Sequence, residues 1–467
     1  MSAQSSFYER SLVALTLIIL VALPLPVGSN RTWAMGLFTL LIGAVTVLWA
    51  VGQWRGVFKP SRALKPALPM LALLLFTQAW VALQWLAGLT VDSGASMQAL
   101  IIGVGYTLLF LLVISLFATR KRLSLLLGTL VVSGTLQAFY GSFMTLTGFE
   151  GLLGTVSPSV SGTFINRNSM AGYMSLCLAA GIGLLLALRD PGSFSWVKVV
   201  ELLMGPKARL RLALVIMVIA LVMTHSRGGN ASFFVGLMLV GSVFVLRSKQ
   251  NRMRNILILA SVVLIDVLVI SQYFGLERLK DRVMSTQLMD TVVSSEVITD
   301  KVVNGELVRS TEVHTEVVQK SSEIRGDVFL YALPLAQDKP LIGQGAGSFE
   351  AVFPRYAGED IRLHFDLAHN DYIQFAIEYG ALGFVPLALF VLLALYWAFK
   401  ALWQQRSLYR GGVGFGAAMG IIAMLSHATV DFNLQIPANA ATFVVLCAIA
   451  VLANHHSKER RKRAAVA

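Results

Sequence analysis

The run HNDYIQFAIEYG, from His369 to Gly380, joins a long polar stretch to an apolar one, and its residues could move a proton. An unperturbed imidazole titrates at about 6.5, so His369 suits the task of deprotonating a hydroxyl near neutral pH. Asn370, Gln374 and Glu378 follow at spacings of four, which predicts a polar stripe on one helix beside Ile373, Ala376 and Ile377. A polar stripe entering a membrane segment predicts a wet cavity. Two arginines supply the complementary chemistry: Arg167 in GTFINRNSM and Arg227 in THSRGGN. The rigid guanidinium fork matches phosphate oxygens, and the two glycines after Arg227 would let a ligand approach the backbone. His364, Asp366 and His369 also form an H-x-D-x-x-H run, a weak metal-site signal.

These groups must be positioned by membrane helices. Apolar residues make up 56% of the 467-residue chain, charged residues only 13%, and the mean hydropathy is +0.70. A soluble protein carries about 25% charged residues. Apolar runs of about 20 residues, each enough to cross a bilayer, recur near 11–27, 33–52, 68–88, 98–118, 124–147, 171–188, 211–224, 231–246, 255–273, 381–402, 413–429 and 437–454. The expected fold is therefore an all-α polytopic membrane protein with about twelve transmembrane helices. No small-x-small cleavage site follows the first run, so it is read as a retained helix. Cys177 and Cys447 fall within spans, which points to packing rather than to a disulfide or metal site.

The net charge of +13 orients the chain. With both termini cytoplasmic, the cytoplasmic segments hold 25 of the 38 Lys and Arg, while the short outer loops hold only Arg31, Arg167 and Arg227. This is the positive-inside bias, and it removes the case for nucleic-acid binding. Arg167 and Arg227 run against that bias, so something other than topology should hold them outside. Intramembrane or interfacial ionisable groups are functional candidates in general. Asp266, His427 and Asp431 join them as secondary pocket or packing elements, and Pro437 opens the last helix.

Four regions follow: N-terminal spans over 1–160, spans with the SRGG loop over 161–273, a large outer loop over 274–370, and C-terminal spans with a basic tail over 371–467. The loop carries 15 acidic and 10 basic residues, and loops of that length usually have a role. Asn304-Gly305 between EVITDKVV and ELVRSTEV predicts a small β-hairpin with Asp300 opposite Arg309. SSEIRGDVFLYALPLAQ reads as an amphipathic helix on or near the membrane. The glycines of DKPLIGQGAGSF read as a tight turn, since the strand-then-helix context of a phosphate loop is lacking.

HNDYIQFAIEYGALG resembles the signature of the O-antigen ligase and polymerase superfamily, the Wzy-C group, in which a His-Asn pair precedes a glycine at this spacing. SRGG at Arg227, IRGDVFLYALPLAQDKPLIGQGAGSF and VDFNLQIPANA resemble its other landmarks in the same order, over roughly 160–440. The N-terminal spans are similar in hydropathy alone. The resemblance implies a fold similar to the GT-C glycosyltransferases and transfer of a glycan from undecaprenyl diphosphate at the periplasmic face of the inner membrane, with no metal or other cofactor. Acceptors would be lipid A–core, another glycan or a protein hydroxyl. It implies His369 as base and Arg227 and Arg325 as diphosphate-binding groups; Arg167 joins them on charge grounds. Asn370, Tyr372, Glu378 and Asp431 would support them. Where the family often carries a tryptophan shortly after the Arg325 position, this chain has Phe329 and Tyr331. O-antigen ligase chemistry is the expectation; chain polymerase, protein O-oligosaccharyltransferase, and a transporter or flippase are the alternatives. A transporter would place its charged groups near the midplane, between repeated halves.

Overall fold

A computed structural model describes residues 3–58, 60–148, 159–188, 208–247, 291–303, 306–318, 321–358, 364–404 and 407–457, with a few positions between 252 and 260. Among the described residues, eight helices precede the large loop: α1 (Ala3–Ala22), α2 (Thr32–Trp54), α3 (Leu64–Leu86), α4 (Ser93–Leu116), α5 (Arg120–Thr147), α6 (Arg167–Ala187), α7 (Ala208–Met223) and α8 (Arg227–Arg247). In the loop, β1 (Thr291–Val303) and β2 (Glu306–Val318) pair antiparallel with Asp300 opposite Arg309. The intervening Asn304 and Gly305 lie outside the described residues. Then come α9 (Ser321–Asp338), the single turn α10 (Phe349–Val352), α11 (Asp371–Gln404), α12 (Leu408–His427) and α13 (Pro437–His455).

Among the described residues, nine helices are long and apolar enough to cross a membrane, three fewer than the expected twelve spans. The chain is a multi-pass membrane protein. Of the other three expected spans, α1 carries Glu9 and Arg10 in its first half. Helix α7 is described over 16 residues, and most of 255–273, including Asp266, lies outside the described residues.

At the centre are α6, α12 and α13, with α6 buried from Ser169 to Ala187 and α13 from Pro437 to Asn454. Lipid is as apolar as leucine, so close packing of small residues is what holds membrane helices together. A Cβ on Gly412 of α12 would stand 2.2 Å from the Ala187 backbone nitrogen of α6, and one on Gly416 would stand 2.7 Å from the Ala179 carbonyl oxygen. Cys177 and Cys447 are buried free thiols in this packing. The outer helices α2, α3 and α11 expose Leu40, Phe76 and Leu392, as a lipid-facing surface does.

Helix α11 breaks at Gly380 (φ 59°, ψ −177°), a conformation essentially restricted to glycine. A break in a membrane helix frees carbonyls that need donors. The Gly-rich turn supplies two: Gln344 N–H donates to the Ile377 carbonyl (2.8 Å) and Gly345 N–H to that of Glu378 (3.0 Å). Helix α3 supplies the rest, through Trp80 Nε1 to the Tyr379 carbonyl (2.9 Å) and Gln84 Nε2 to the carbonyls of Ile342 (2.6 Å) and Glu378 (3.1 Å). The glycines at 343 and 345 therefore serve this junction, their amides spent on protein carbonyls. Above it, Val328, Ala332 and Leu335 of α9 form a second small core with Phe349, Phe353 and Ile377. Helix α9 thus packs on the first segment of α11.

Candidate functional site

Three helices begin at one place, each behind a capping residue. Asn166 Oδ1 accepts from Asn168 N–H (2.8 Å) at the start of α6. Ser226 Oγ accepts from Gly229 N–H (3.1 Å) at the start of α8. Asn370 Oδ1 accepts from Tyr372 and Ile373 N–H (3.0 and 3.2 Å) at the start of α11. Such residues relieve the unpaired amides of a first turn. The first helical residues of α6 and α8 are Arg167 and Arg227. A helix N-terminus carries partial positive charge, so each arginine sits at the end of its helix that disfavours a cation, by about 0.3–1 kcal/mol.

Arg167, Arg227, His369 and Asn370 line one cavity of about 650 Å³, together with His225, Phe329 and Asp431. Among the described residues Asp431 is the sole carboxylate on its wall, so two guanidinium groups and three helix N-termini make the cavity electropositive. Arg167 Nη1 donates to Ser159 Oγ (3.3 Å).

His369 is fixed from several sides. Its ring packs edge-on against Phe432 (4.8 Å between centroids) and Phe365 (6.0 Å). Its Nδ1 is shielded and makes no hydrogen bond, with Asp431 Oδ1 at 3.8 Å, and its backbone is left-handed at φ 51°. His225, on the same cavity, is left-handed too (φ 57°). Non-glycine residues in this region are uncommon and gather at functional sites. Asp431 is held in turn by Phe432 N–H, which donates to its Oδ1 (2.9 Å).

Several expectations are corrected. The polar stripe is not wet: Gln374 and Glu378 are buried, joined to each other (2.9 Å), with Gln374 Oε1 accepting from Ala368 N–H (2.7 Å). The stripe faces the second core, and only its first member, Asn370, reaches the cavity. The Tyr372 hydroxyl donates to the Leu425 carbonyl (2.9 Å) and is not on the cavity wall. The glycines of SRGG divide: Gly229 serves helix packing, where a Cβ would stand 2.5 Å from that of Ala171, while Gly228 lines the cavity beside Val430, 2.9 Å from where its Cβ would stand. His427 is buried against these glycines. The H-x-D-x-x-H run divides, His364 meeting Glu350 (2.9 Å) and Asp366 (3.1 Å) on the exposed surface while His369 turns to Asp431. Arg325 lies on α9 one turn before the cavity-lining Phe329, and its side chain is outside the described residues.

Sequence reasoning missed Asp371 and the Trp80–Gln84 pair. Asp371 is buried and accepts from Leu434 N–H (3.0 Å) and Gln435 Nε2 (3.3 Å), tying the start of α11 to the segment that carries Asp431. A buried carboxylate beginning an apolar run was the available signal.

Residues 212–388, which include Arg227, Arg325 and His369, match the family model described as O-Antigen ligase, Wzy-C. No curated protein matches the chain.

Proposed function

We propose that this chain, which belongs to the O-antigen ligase superfamily through residues 212–388, transfers a glycan from undecaprenyl diphosphate to an acceptor hydroxyl at the periplasmic face of a bacterial inner membrane. What carries the reading is the convergence of Arg167, Arg227 and His369 on one electropositive cavity at the helix ends. A glycosyl diphosphate already holds a good leaving group, so two tasks remain. His369 takes the proton of the acceptor hydroxyl, whose oxygen then bonds to the anomeric carbon. The bond from that carbon to the diphosphate oxygen breaks, and the diphosphate leaves with the electron pair. Attack opposite the leaving group inverts the configuration. With Nδ1 shielded beside Asp431, Nε2 is the nitrogen that receives the proton, and Asp431 offsets the charge the ring acquires. Arg167 and Arg227, with the amides at the helix starts, stabilise the departing charge. Arg325, a turn from Phe329 on α9, is the third arginine in this role.

The placement at helix ends favours surface transfer over passage, since a transporter holds its ligand near the midplane. Both termini are read as cytoplasmic from the charge pattern. Lipid A–core is the preferred acceptor class, making this a ligase; polymerase and protein transferase share the chemistry and differ in acceptor. The test is transfer from lipid-linked glycan in proteoliposomes. His369→Ala and Arg227→Ala should insert and fold normally yet lose transfer, and retained activity in His369→Ala would remove the base assignment.

A further inference from the structure

The bundle has a second cavity, at the other end of α12. That helix, Leu408–His427, is 20 residues or about 30 Å long, with Arg410 near its start, so the two cavities lie about a membrane's thickness apart. The second measures about 1280 Å³ and is walled by α1, the segment before α3, the α4–α5 junction, and the neighbouring ends of α12 and α13. Five cations line it: Arg10, Arg62, Lys121, Arg122 and Arg410. Glu9 is its sole acid among the described residues, and Glu9 is taken by Arg122, whose Nη1 stands 2.6 Å from its Oε1. Arg10, Arg62, Lys121 and Arg410 face no carboxylate within ion-pair distance among the described residues. Val13, Leu17, Phe58 and Leu125 supply apolar wall, the last of them half-exposed.

The orientation bias accounts for cations at this end of the bundle. It does not account for their gathering around a hollow beside shielded polar atoms that make no hydrogen bond. Ser115 Oγ and His455 Nε2 are two such atoms on this wall. Burial, with Arg410 and Arg120 nearby, also holds the adjacent His456 imidazole below its ordinary range, so that ring adds no charge of its own at neutral pH.

The geometry points to a binding site for an anionic phospholipid of the leaflet at this end, its headgroup phosphates among Arg10, Arg62, Lys121 and Arg410 and an acyl chain along Val13, Leu17 and Leu125. Basic pockets between transmembrane helices take phosphate-rich headgroups of this kind. Four cations with no carboxylate partner among the described residues match a lipid carrying two phosphates better than one carrying a single diester. The chain's own tail is a poor occupant: after Ser457, which is itself on the wall, come Lys458, Arg460, Arg461, Lys462 and Arg463 against the one acid Glu459, so the run is strongly cationic. Like charge repels it.

The experiment is native mass spectrometry of the full-length protein, titrated with cardiolipin, with phosphatidylcholine of the same acyl chains, and with inorganic diphosphate. Cardiolipin should bind at least tenfold more tightly than phosphatidylcholine. Each cation near a lipid phosphate contributes about fivefold, so Arg10→Gln with Arg62→Gln should weaken cardiolipin about 25-fold, and Lys121→Gln alone about fivefold. Arg31→Gln, on the opposite side of the bundle and lining neither cavity, should leave it unchanged. Equal binding of the two lipids, or equal loss in Arg31→Gln, would overturn the site. Diphosphate binding as tightly as cardiolipin would overturn the lipid assignment by making the occupant a soluble anion. None of these readouts depends on glycan transfer.

Discussion

Asp431→Asn isolates the electrostatic part of the proposed mechanism. Asparagine keeps the volume and the Oδ1 that accepts from Phe432 N–H, so the local backbone should persist. What it removes is a negative charge 3.8 Å from His369 Nδ1. When the imidazole takes the acceptor's proton, that charge attracts the new cation by about 4 kcal/mol at an effective dielectric of 20, and by about 1 kcal/mol in bulk water. Both side chains are largely shielded, at 17% and 3% exposure, which puts the effective value nearer the first figure. Since about 1.4 kcal/mol is a factor of ten in rate, kcat should fall between roughly tenfold and a thousandfold, centred near a hundredfold. The loss belongs to the transition state, so KM for the lipid-linked donor should hold. Single-turnover transfer in proteoliposomes over a range of donor concentrations separates the two. A kcat within twofold of the parent, or a loss confined to KM, would refute the coupling of Asp431 to His369.

Arg227→Lys keeps the charge but loses the two-pronged geometry, so transfer should fall about tenfold or more, as expected for a charge-assisted hydrogen bond worth about 1.5–3 kcal/mol; initial rates at subsaturating donor measure it. Gly380→Ala forces a non-glycine residue into φ 59°, ψ −177° with a Cβ about 2.4 Å from Gly343 N and should destabilise the fold by about 1–3 kcal/mol, read as a lower melting temperature in detergent. Gln84→Leu leaves the Ile342 carbonyl without its side-chain donor and should destabilise by about 1–3 kcal/mol on the same scale. His364 bonds to Glu350 beside Asp366, which raises its pKa; its contribution to stability is therefore complete below the ordinary histidine range and is lost as pH rises through the raised value. Histidine NMR should show that elevation, and Glu350→Gln should reduce it.

How much of this was legible in the sequence depended on whether the signal was local. Nine of the twelve expected spans were legible because hydropathy is a property of contiguous stretches, and the Asp300–Arg309 register follows from counting outward from one turn. The direction of a helix face was not. Asn370, Gln374 and Glu378 share a stripe in either case, but whether it meets water or the second core depends on α9 and the Gly-rich turn, which close over it. The glycines of SRGG carried the same ambiguity: a missing side chain can admit a ligand or a neighbouring helix, and Ala171 decides for the helix at Gly229 while Gly228 lies on the cavity wall. Asp431 was read as a supporting residue without its partner, because its approach to His369 joins positions far apart in the chain.

The capping pattern links the candidate site to the fold more firmly than any single motif. NRN, SRG and HND each pair a cap residue with its neighbour at the start of a helix, and all three starts converge on one cavity. Caps stabilise helices wherever they occur, so capping explains Asn166, Ser226 and Asn370 without reference to function. It does not explain Arg167 and Arg227, which stand one residue later, where the helix dipole opposes them. Stability alone would place an acid or a neutral residue there. Both helices accept the unfavourable residue at the same cavity, and the common remedy for that electrostatic cost is an anion between them. Neutralising both, in Arg167→Gln with Arg227→Gln, should therefore raise the melting temperature of the ligand-free protein slightly while abolishing transfer. A lower melting temperature would mean that the arginines hold the helices together and would remove the inference that an anionic substrate put them there.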